Sequence, residues 1–389
     1  MARPPQQRIL LGGEVHLAEW LNHSEGGQRL LAEHHDSLRR PRCQCVPGGV
    51  DMGIAKRGSR YHLARLPGSG FLHDSDCHSV ESVNPLSGSS SYSRHAMLQN
   101  GDGEMHVVFS PSVERGRHNI PAVSLDGLLD LLIDGAGLNT LREPVELQRV
   151  WRDVRDSLAH AAVETHLAGY GPLTSQILLP PPFDKDAYAG IQAQQEAFLS
   201  APDGLRFVCA PLREIKATSF GWLVGLKHLP RSNFWLSREA GARFAAAAGG
   251  TDPLSNPPVP GLALALVKAG RQDHNFTITH LAVRRVDMRF MPCQSEAEAL
   301  AADELAARSV PFMRPLRFDA SWDYPLADYV LFFGDSQRMA YVLSDTGCEE
   351  VDASKRVTVS VLASNGVIAS IWDNGRWAHA PESISKPSG

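Results

Sequence analysis

The sequence predicts a mixed α and β protein, an open mixed sheet flanked by helices, with a small separately constrained module at its start. Three observations lead there. Segments with apolar residues at helical spacing alternate with short strand-like segments through most of the 389 residues. Breaks rich in proline, glycine and serine divide these segments into stretches of domain size. Cysteine and histidine gather near the N-terminus, while Cys209, Cys293 and Cys348 stand alone, as buried thiols do. The expected parts are a module over 1–118, a mixed central domain over 119–283 and a C-terminal domain over 284–389. Hydrophobic residues at 43% and charged residues at 21% exclude wholesale disorder and fibrous architecture. The opening Met-Ala-Arg-Pro-Pro-Gln-Gln-Arg lacks a signal-peptide core, and the apolar run Gly261 to Val267 is too short to span a bilayer. Cytosolic residence without membrane contact is the expectation.

Serine fills Ser87 to Ser93, which reads as an exposed loop closing the first module. Alternation at His106 to Phe109 predicts a strand, and Ser124 caps a helix over Leu125 to Ile133 that Gly135 ends. Leu147, Val150, Trp151, Val154, Leu158, Ala161 and Thr165 recur at helical spacing, so a core-facing helix is expected from Glu146 to Leu167, stopped by Gly169. After the three prolines from Pro180 come a helix from Tyr188 to Leu199 and strands at Leu205 to Cys209 and Ser219 to Leu226. Ser237 starts an alanine-rich helix, Pro253 to Pro260 is a linker, and strands follow at Leu262 to Lys268 and Phe276 to Phe290. The last part reads as a helix from Ser295 to Ala307, strands at Asp328 to Phe333 and Arg338 to Leu343, a helix from Asp352 to Ala363 and a strand from Val367 to Trp372.

Cys43-Gln-Cys45 and His73-Asp-Ser-Asp-Cys77 are two close pairs of soft or borderline ligands, which a tetrahedral Cys₃His zinc site requires. Cysteines clustered in a reducing compartment are ligands more often than bridges. His62 and His78 are alternatives to His73; a gap of three residues from Cys77 favours His73. Four protein ligands leave no open position, so the zinc is structural. The same stretch is basic. Arg39, Arg40, Arg42, Lys56, Arg57, Arg60 and Arg65 face one acid, Asp51, although the net charge is −5. The strip reads as a phosphate contact or, equally, as an ordinary solvated face.

The segments Pro41-Arg-Cys-Gln-Cys45, Tyr61 to Gly70, His73, Cys77, Phe220-Gly-Trp, Lys227-His-Leu-Pro230 and Arg314-Pro-Leu-Arg-Phe318 resemble the bacterial family called domain of unknown function 1173. The resemblance covers nearly the whole chain. It implies the DNA biology of plasmids and integrative elements, and no particular reaction.

The segment from Arg284 to Trp377 also resembles the restriction-endonuclease-like fold. That resemblance implies Glu298 on a first helix, Asp328 as the first metal-binding acid and Lys355 as a displaced lysine. Such chemistry needs at least two carboxylates for Mg²⁺ and a lysine for the charge developing on phosphate. The strand Arg338 to Ser344 carries no acid where the pattern wants one, and Asp345 lies beyond it. The expected function is therefore that of a non-catalytic DNA-associated accessory protein of a mobile element, partnered by DNA or by other proteins of that element and without an evident small-molecule substrate. The alternatives are a metal-dependent nuclease and a protein-protein adaptor, for which Trp222, Phe234 and Trp235 would be the exposed feature. No Walker-type phosphate loop occurs.

Overall fold

The computed structural model describes residues 7–377 except 36, 38, 59, 67–72, 74–76, 80–85, 94, 101–103, 117–118, 143–148, 183, 202–203, 248–252, 271–273, 323, 334–335, 344–348, 365–367 and 374–375. They divide into two compact units, residues 1–84 with 363–366, and 85–362 with 367–389. No described helix is long and apolar enough to cross a membrane.

The first unit runs β1 (Arg8–Leu11), β2 (Glu14–Leu17), α1 (Ala18–His23), α2 (Glu25–His34), β3 (Arg42–Cys43), β4 (Val50–Arg57) and β5 (Arg60–Arg65). Its strands form one sheet in the order β2-β1-β3-β4-β5. Ser24 starts α2 by accepting the Gly27 N–H on its hydroxyl at 2.9 Å. The core is small: Ile9, Leu21, Leu31, Val50 and Met52 pack together with Cys43 and Cys77.

The second unit opens with β6 (Met97–Gln99), β7 (Met105–Val107), α3 (Leu125–Gly135), β8 (Thr140–Leu141), α4 (Trp151–Val163), β9 (Thr165–Leu167) and β10 (Gly171–Pro172). Strands β10, β9, β7 and β6 form a four-stranded sheet in that order. Ser124 caps α3 as expected, accepting from Gly127 N–H at 3.1 Å. The helix read from Glu146 to Leu167 is shorter. Val150 is extended, residues 143–148 lie outside the described set, and Thr165–Leu167 leaves the helix to pair in parallel with Met105–Val107. Tertiary pairing of a β-branched residue overrides the local helical spacing there. The serine-rich stretch is also not an exposed loop. Gly88–Ser91 is a turn of 3₁₀ helix, Ser91 is buried, and the Ser90 hydroxyl meets the Tyr324 hydroxyl at 2.6 Å. Gly88 is required there, since a Cβ would stand 2.0 Å from the Arg317 carbonyl oxygen.

Next come β11 (Ile177–Leu178), α5 (Tyr188–Ser200), β12 (Phe207–Thr218), β13 (Gly221–Leu226), β14 (Asn233–Ser237), α6 (Arg238–Ala247), β15 (Gly261–Ala269) and β16 (Asn275–Arg285). The order β12-β13-β14-β16-β15 closes on itself. The first half of β12 pairs with β15, from Phe207↔Leu266 to Leu212↔Gly261, and its second half pairs with β13. Strands β14 and β16 are parallel, and every other pairing in the ring is antiparallel. The result is a five-stranded barrel with an interior of Val208, Ala210, Ile215, Val224, Phe234, Ala263, Ala265 and Phe276, to which α6 adds Ala240 and Phe244. Phe234 is thus a core residue and not the exposed aromatic that its neighbourhood suggested.

Part of the outer face of β12, β15 and β16 is covered. Phe207, Cys209, Leu262, Leu264 and Ala282 pack with Leu128, Leu132 and Leu158 of α3 and α4. A buried ion-pair network reinforces this layer. Arg284 donates from Nε and Nη2 to Asp130 at 2.6 and 3.1 Å and from Nη1 to Asp126 at 2.6 Å, and Asp130 also accepts Phe318 N–H at 2.8 Å. Burial opposes the charge on Arg284, but the two carboxylates outweigh it and raise its pKa.

The chain finishes with α7 (Glu296–Ala307), β17 (Phe312–Met313), β18 (Tyr329–Phe333), β19 (Ser336–Leu343), α8 (Glu349–Ser364), β20 (Ile368–Asp373) and β21 (Arg376–Trp377). Their sheet runs β21-β20-β19-β18-β17 and ends on β8. Strands β17, β18 and β19 are antiparallel neighbours, and α8 carries the chain across to β20, which is parallel to β19. The architecture is the expected mixed α and β, with several sheets.

Candidate metal centre

Cys43 sits in β3, the central strand of the first unit's sheet, held opposite Ile9 on one side and Val50 on the other. Two residues on, Cys45 has left the strand, and a turn through Gly48 and Gly49, at φ of 84° and 69°, leads into β4. From the far side of the sequence His73 and Cys77 reach the same point. Cys43 Sγ and Cys77 Sγ are 3.6 Å apart, Cys45 Sγ and His73 Nδ1 3.4 Å, and Cys77 Sγ and His73 Nδ1 3.6 Å. The four ligand atoms all lie within 4.8 Å of one another, the only such group of His, Cys, Asp or Glu among the described residues.

The separations discriminate between chemistries. A disulfide requires sulfurs about 2.05 Å apart, so Cys43 and Cys77 are not bonded. Ligands placed about 2.0–2.3 Å from a tetrahedral ion stand about 3.4–3.8 Å from each other, which is the spacing of the three pairs above. These four residues could hold a metal ion. Neither His62, opposite Ala55 in the β4–β5 hairpin, nor His78 joins the group.

Gln7 and Ser79 complete the surroundings, and the ligand spacing does not reveal them. Gln7 Nε2 lies 3.4 Å from Cys43 Sγ, 3.7 Å from Cys77 Sγ and 2.6 Å from Ser79 Oγ, and Ser79 N–H points at Cys77 Sγ at 3.4 Å. N–H donors aimed at sulfur favour thiolate, the form that binds metal. Burial works the other way, pushing the Cys77 thiol up to about 12, with Cys43 and Cys45 adding to the rise. Burial also lowers the His73 pKa, helped by Arg65, which keeps the ring in its neutral, ligating form. A cation inside this group would offset the repulsion that otherwise keeps neighbouring thiols protonated.

The basic residues separate along the same sheet. Lys56, Arg57 and Arg60 share the tip of the β4–β5 hairpin, where Arg57 is opposite Arg60 and Lys56 opposite Tyr61, its Nζ 5.4 Å from the ring centre. Arg42 and Arg65 lie at the hairpin's base, five residues or about 16 Å away. Arg42 is paired there with Asp51 at 2.9 Å. Arg39 and Arg40 are exposed before β3, and the side chain of Arg57 lies outside the described set.

In the C-terminal sheet, Ser295 caps α7, and Glu298 Oε2 accepts Gln294 N–H at 2.6 Å. Glu298 is also ion-paired to the buried Arg314, and its carbonyl accepts the Tyr329 hydroxyl at 2.6 Å. Burial opposes the Arg314 charge, yet Glu298, Tyr329 and Asp328 around it raise its pKa. Asp328 is buried just before β18. The pairing of β18 with β19 ends at Tyr329 opposite Tyr341, one residue after Asp328. Lys355 belongs to α8, but its side chain, like the whole of Asp345, lies outside the described residues.

Fold and site together define a mixed α and β protein whose first unit is built around a Cys₃His cluster that could hold a metal ion. The chain belongs to the family described as protein of unknown function (DUF1173), whose model matches residues 16–375. No curated protein and no solved structure matches it.

Proposed function

We propose that this chain is a non-catalytic, DNA-associated accessory protein of a bacterial mobile element, acting in the cytosol with DNA or other proteins of that element as partners. In this reading Cys43, Cys45, His73 and Cys77 hold one structural zinc ion that cross-links the small first unit. Residues 284–389 are a nuclease-like domain that has lost its reaction. The observation that carries the reading is the order α7-β17-β18-β19-α8-β20. Three antiparallel strands followed by a crossover helix and a parallel fourth strand resemble the core of the restriction-endonuclease-like fold, which acts on DNA. Loss of the reaction is supported by Glu298, whose carboxylate is taken up by Arg314, and by the sequence of β19, which has no acid and puts Ala340 or Leu343 in the place of the glutamate. With Glu298 so engaged, Asp328 alone should not bind Mg²⁺ tightly, an ion usually held through one or two well-placed carboxylates together with substrate phosphates. The hairpin bearing Lys56, Arg57 and Arg60 supplies the phosphate contact.

Mobility shifts with duplex DNA at several salt concentrations test this. Binding should weaken steeply with salt, with little sequence preference, and the double variant Lys56→Glu, Arg60→Glu should bind at least tenfold more weakly. Unchanged binding in that variant would reduce the basic strip to a solvated face.

A further inference from the structure

The five-stranded barrel has a second surface on which charge and aromatic side chains coincide. Directly opposed residues in a sheet present their side chains on one face. Following the register from strand to strand, Lys216 is opposite Leu223, Leu223 opposite Trp235, Trp235 opposite Thr277, and Thr277 opposite Lys268. This row crosses all five strands on the outside of the barrel, with an aromatic at its centre and a lysine at each end. The rows on either side point inward: Ile215, Val224, Phe234 and Phe276 form one of them.

Exposure follows the same division. Trp235 is 38% exposed and Phe220, at the tip of the β12–β13 hairpin, is 84% exposed. A phenylalanine so open has no folding rationale, and the turn holding it is tightly built. Gly221 at φ 146° brings the backbone so close to β14 that a Cβ would stand 2.3 Å from the Leu236 carbonyl oxygen, and Arg238 Nη2 donates to the Ser219 carbonyl at 3.0 Å. Lys216 and Lys268 end the row that holds Trp235, Arg238 is bonded to the turn that holds Phe220, and Arg213 stands earlier on β12 beside Glu214. Glu214 lies among them, accepting from Lys216 at 2.8 Å and Arg213 at 3.2 Å, a pair of exposed contacts that phosphate oxygens can replace.

Strand order, closure, the parallel β14–β16 pair and the helix between third and fourth strands are together the connectivity of the oligonucleotide/oligosaccharide-binding barrel. In that architecture the outer face of strands two and three and the adjoining loops take the ligand. Here those strands are β13 and β14. Their outer face is exposed at Trp235, whereas Phe207 and Cys209 of β12, Leu262 and Leu264 of β15 and Ala282 of β16 pack with α3 and α4 toward the other ends of those strands from Lys216, Lys268 and Thr277.

We propose that this face of β13 and β14, with Phe220, Trp235, Lys216, Lys268, Arg213 and Arg238, binds single-stranded DNA. Bases stack on Phe220 and Trp235, which only unpaired bases can do, while the cations hold the phosphates. That the strand is DNA rather than RNA rests on the mobile-element reading above; that it is single rests on the barrel face alone.

Fluorescence anisotropy with labelled oligo-dT, oligo-U and duplex DNA on the full-length protein tests the assignment. Trp235→Ala and Phe220→Ala should each weaken oligo-dT binding about fivefold to a hundredfold, with circular dichroism unchanged. Lys216→Glu should make the dependence on salt shallower. The hairpin variant Lys56→Glu, Arg60→Glu should lose duplex binding and keep most oligo-dT binding, so the two sites fail separately. Oligo-dT affinity unaffected by both aromatic substitutions would overturn the proposal. Tighter binding of oligo-U than of oligo-dT would overturn the choice of DNA. Loss of duplex and oligo-dT binding in equal measure on Trp235→Ala would overturn the stacking.

Discussion

Cys43 and Cys77 come from segments more than thirty residues apart, yet their sulfurs close to 3.6 Å. Protein purified without chelator should therefore carry one zinc per chain by elemental analysis. Cys43→Ser or Cys77→Ser should lower both the zinc content and the melting temperature. His73→Ala should have the same effect, since neither His62 nor His78 is near enough to replace it. The Cys₃His cluster was legible in the sequence because close cysteine and histidine pairs at such spacing have few uses besides metal ligation. Gln7 and Ser79 were not, because an amide and a hydroxyl fit any surface. Gly88 was misread for a related reason: small residues suit exposed turns, but they also suit close packing. Gly88→Ala should destabilise the second unit by about 1–3 kcal/mol, because the atom in its way is the Arg317 backbone and not a movable side chain. Denaturant titration measures it.

Among the elements, the capped helices were readable. Ser124 and Ser295 sit directly before apolar runs, and their hydroxyls accept the backbone N–H groups that such positions leave unpaired. Helix α4 was read too long because periodicity continues through Thr165, while the backbone there is drawn into a strand by β7. Spacing alone carries no information about a partner sixty residues earlier. The same limit hides the layer between α3 and β16. Asp130 is 1% exposed and takes both nitrogens of an Arg284 fork. Asp130→Ala leaves that guanidinium short of a buried partner and should cost about 3–5 kcal/mol. Adding Arg284→Met should recover a large part of the loss, because an apolar pair of similar volume needs no compensation. A double-mutant cycle in urea reads out the coupling.

At the scale of the molecule, the proposed loss of nuclease activity has a direct consequence. Supercoiled plasmid incubated with the protein and Mg²⁺ or Mn²⁺ should remain intact, and Asp328→Asn should leave DNA binding as it was. Cleavage that disappears in Asp328→Asn would restore the enzyme reading. The order of strands in either large sheet was not readable from the sequence, since β14 finds β16 across an intervening helix and strand, and β19 finds β20 across α8. The double pairing of β12 bears on how the chain is made. Phe207 meets its partner Leu266 only when the latter, 59 positions later (266 − 207), has been synthesised. At about 5–20 residues per second that is a wait of roughly 3–12 s during which half of β12 has an open edge on the ribosome. A released chain truncated just after α6 should be cut by protease between 207 and 212, and one that runs on through β16 should resist.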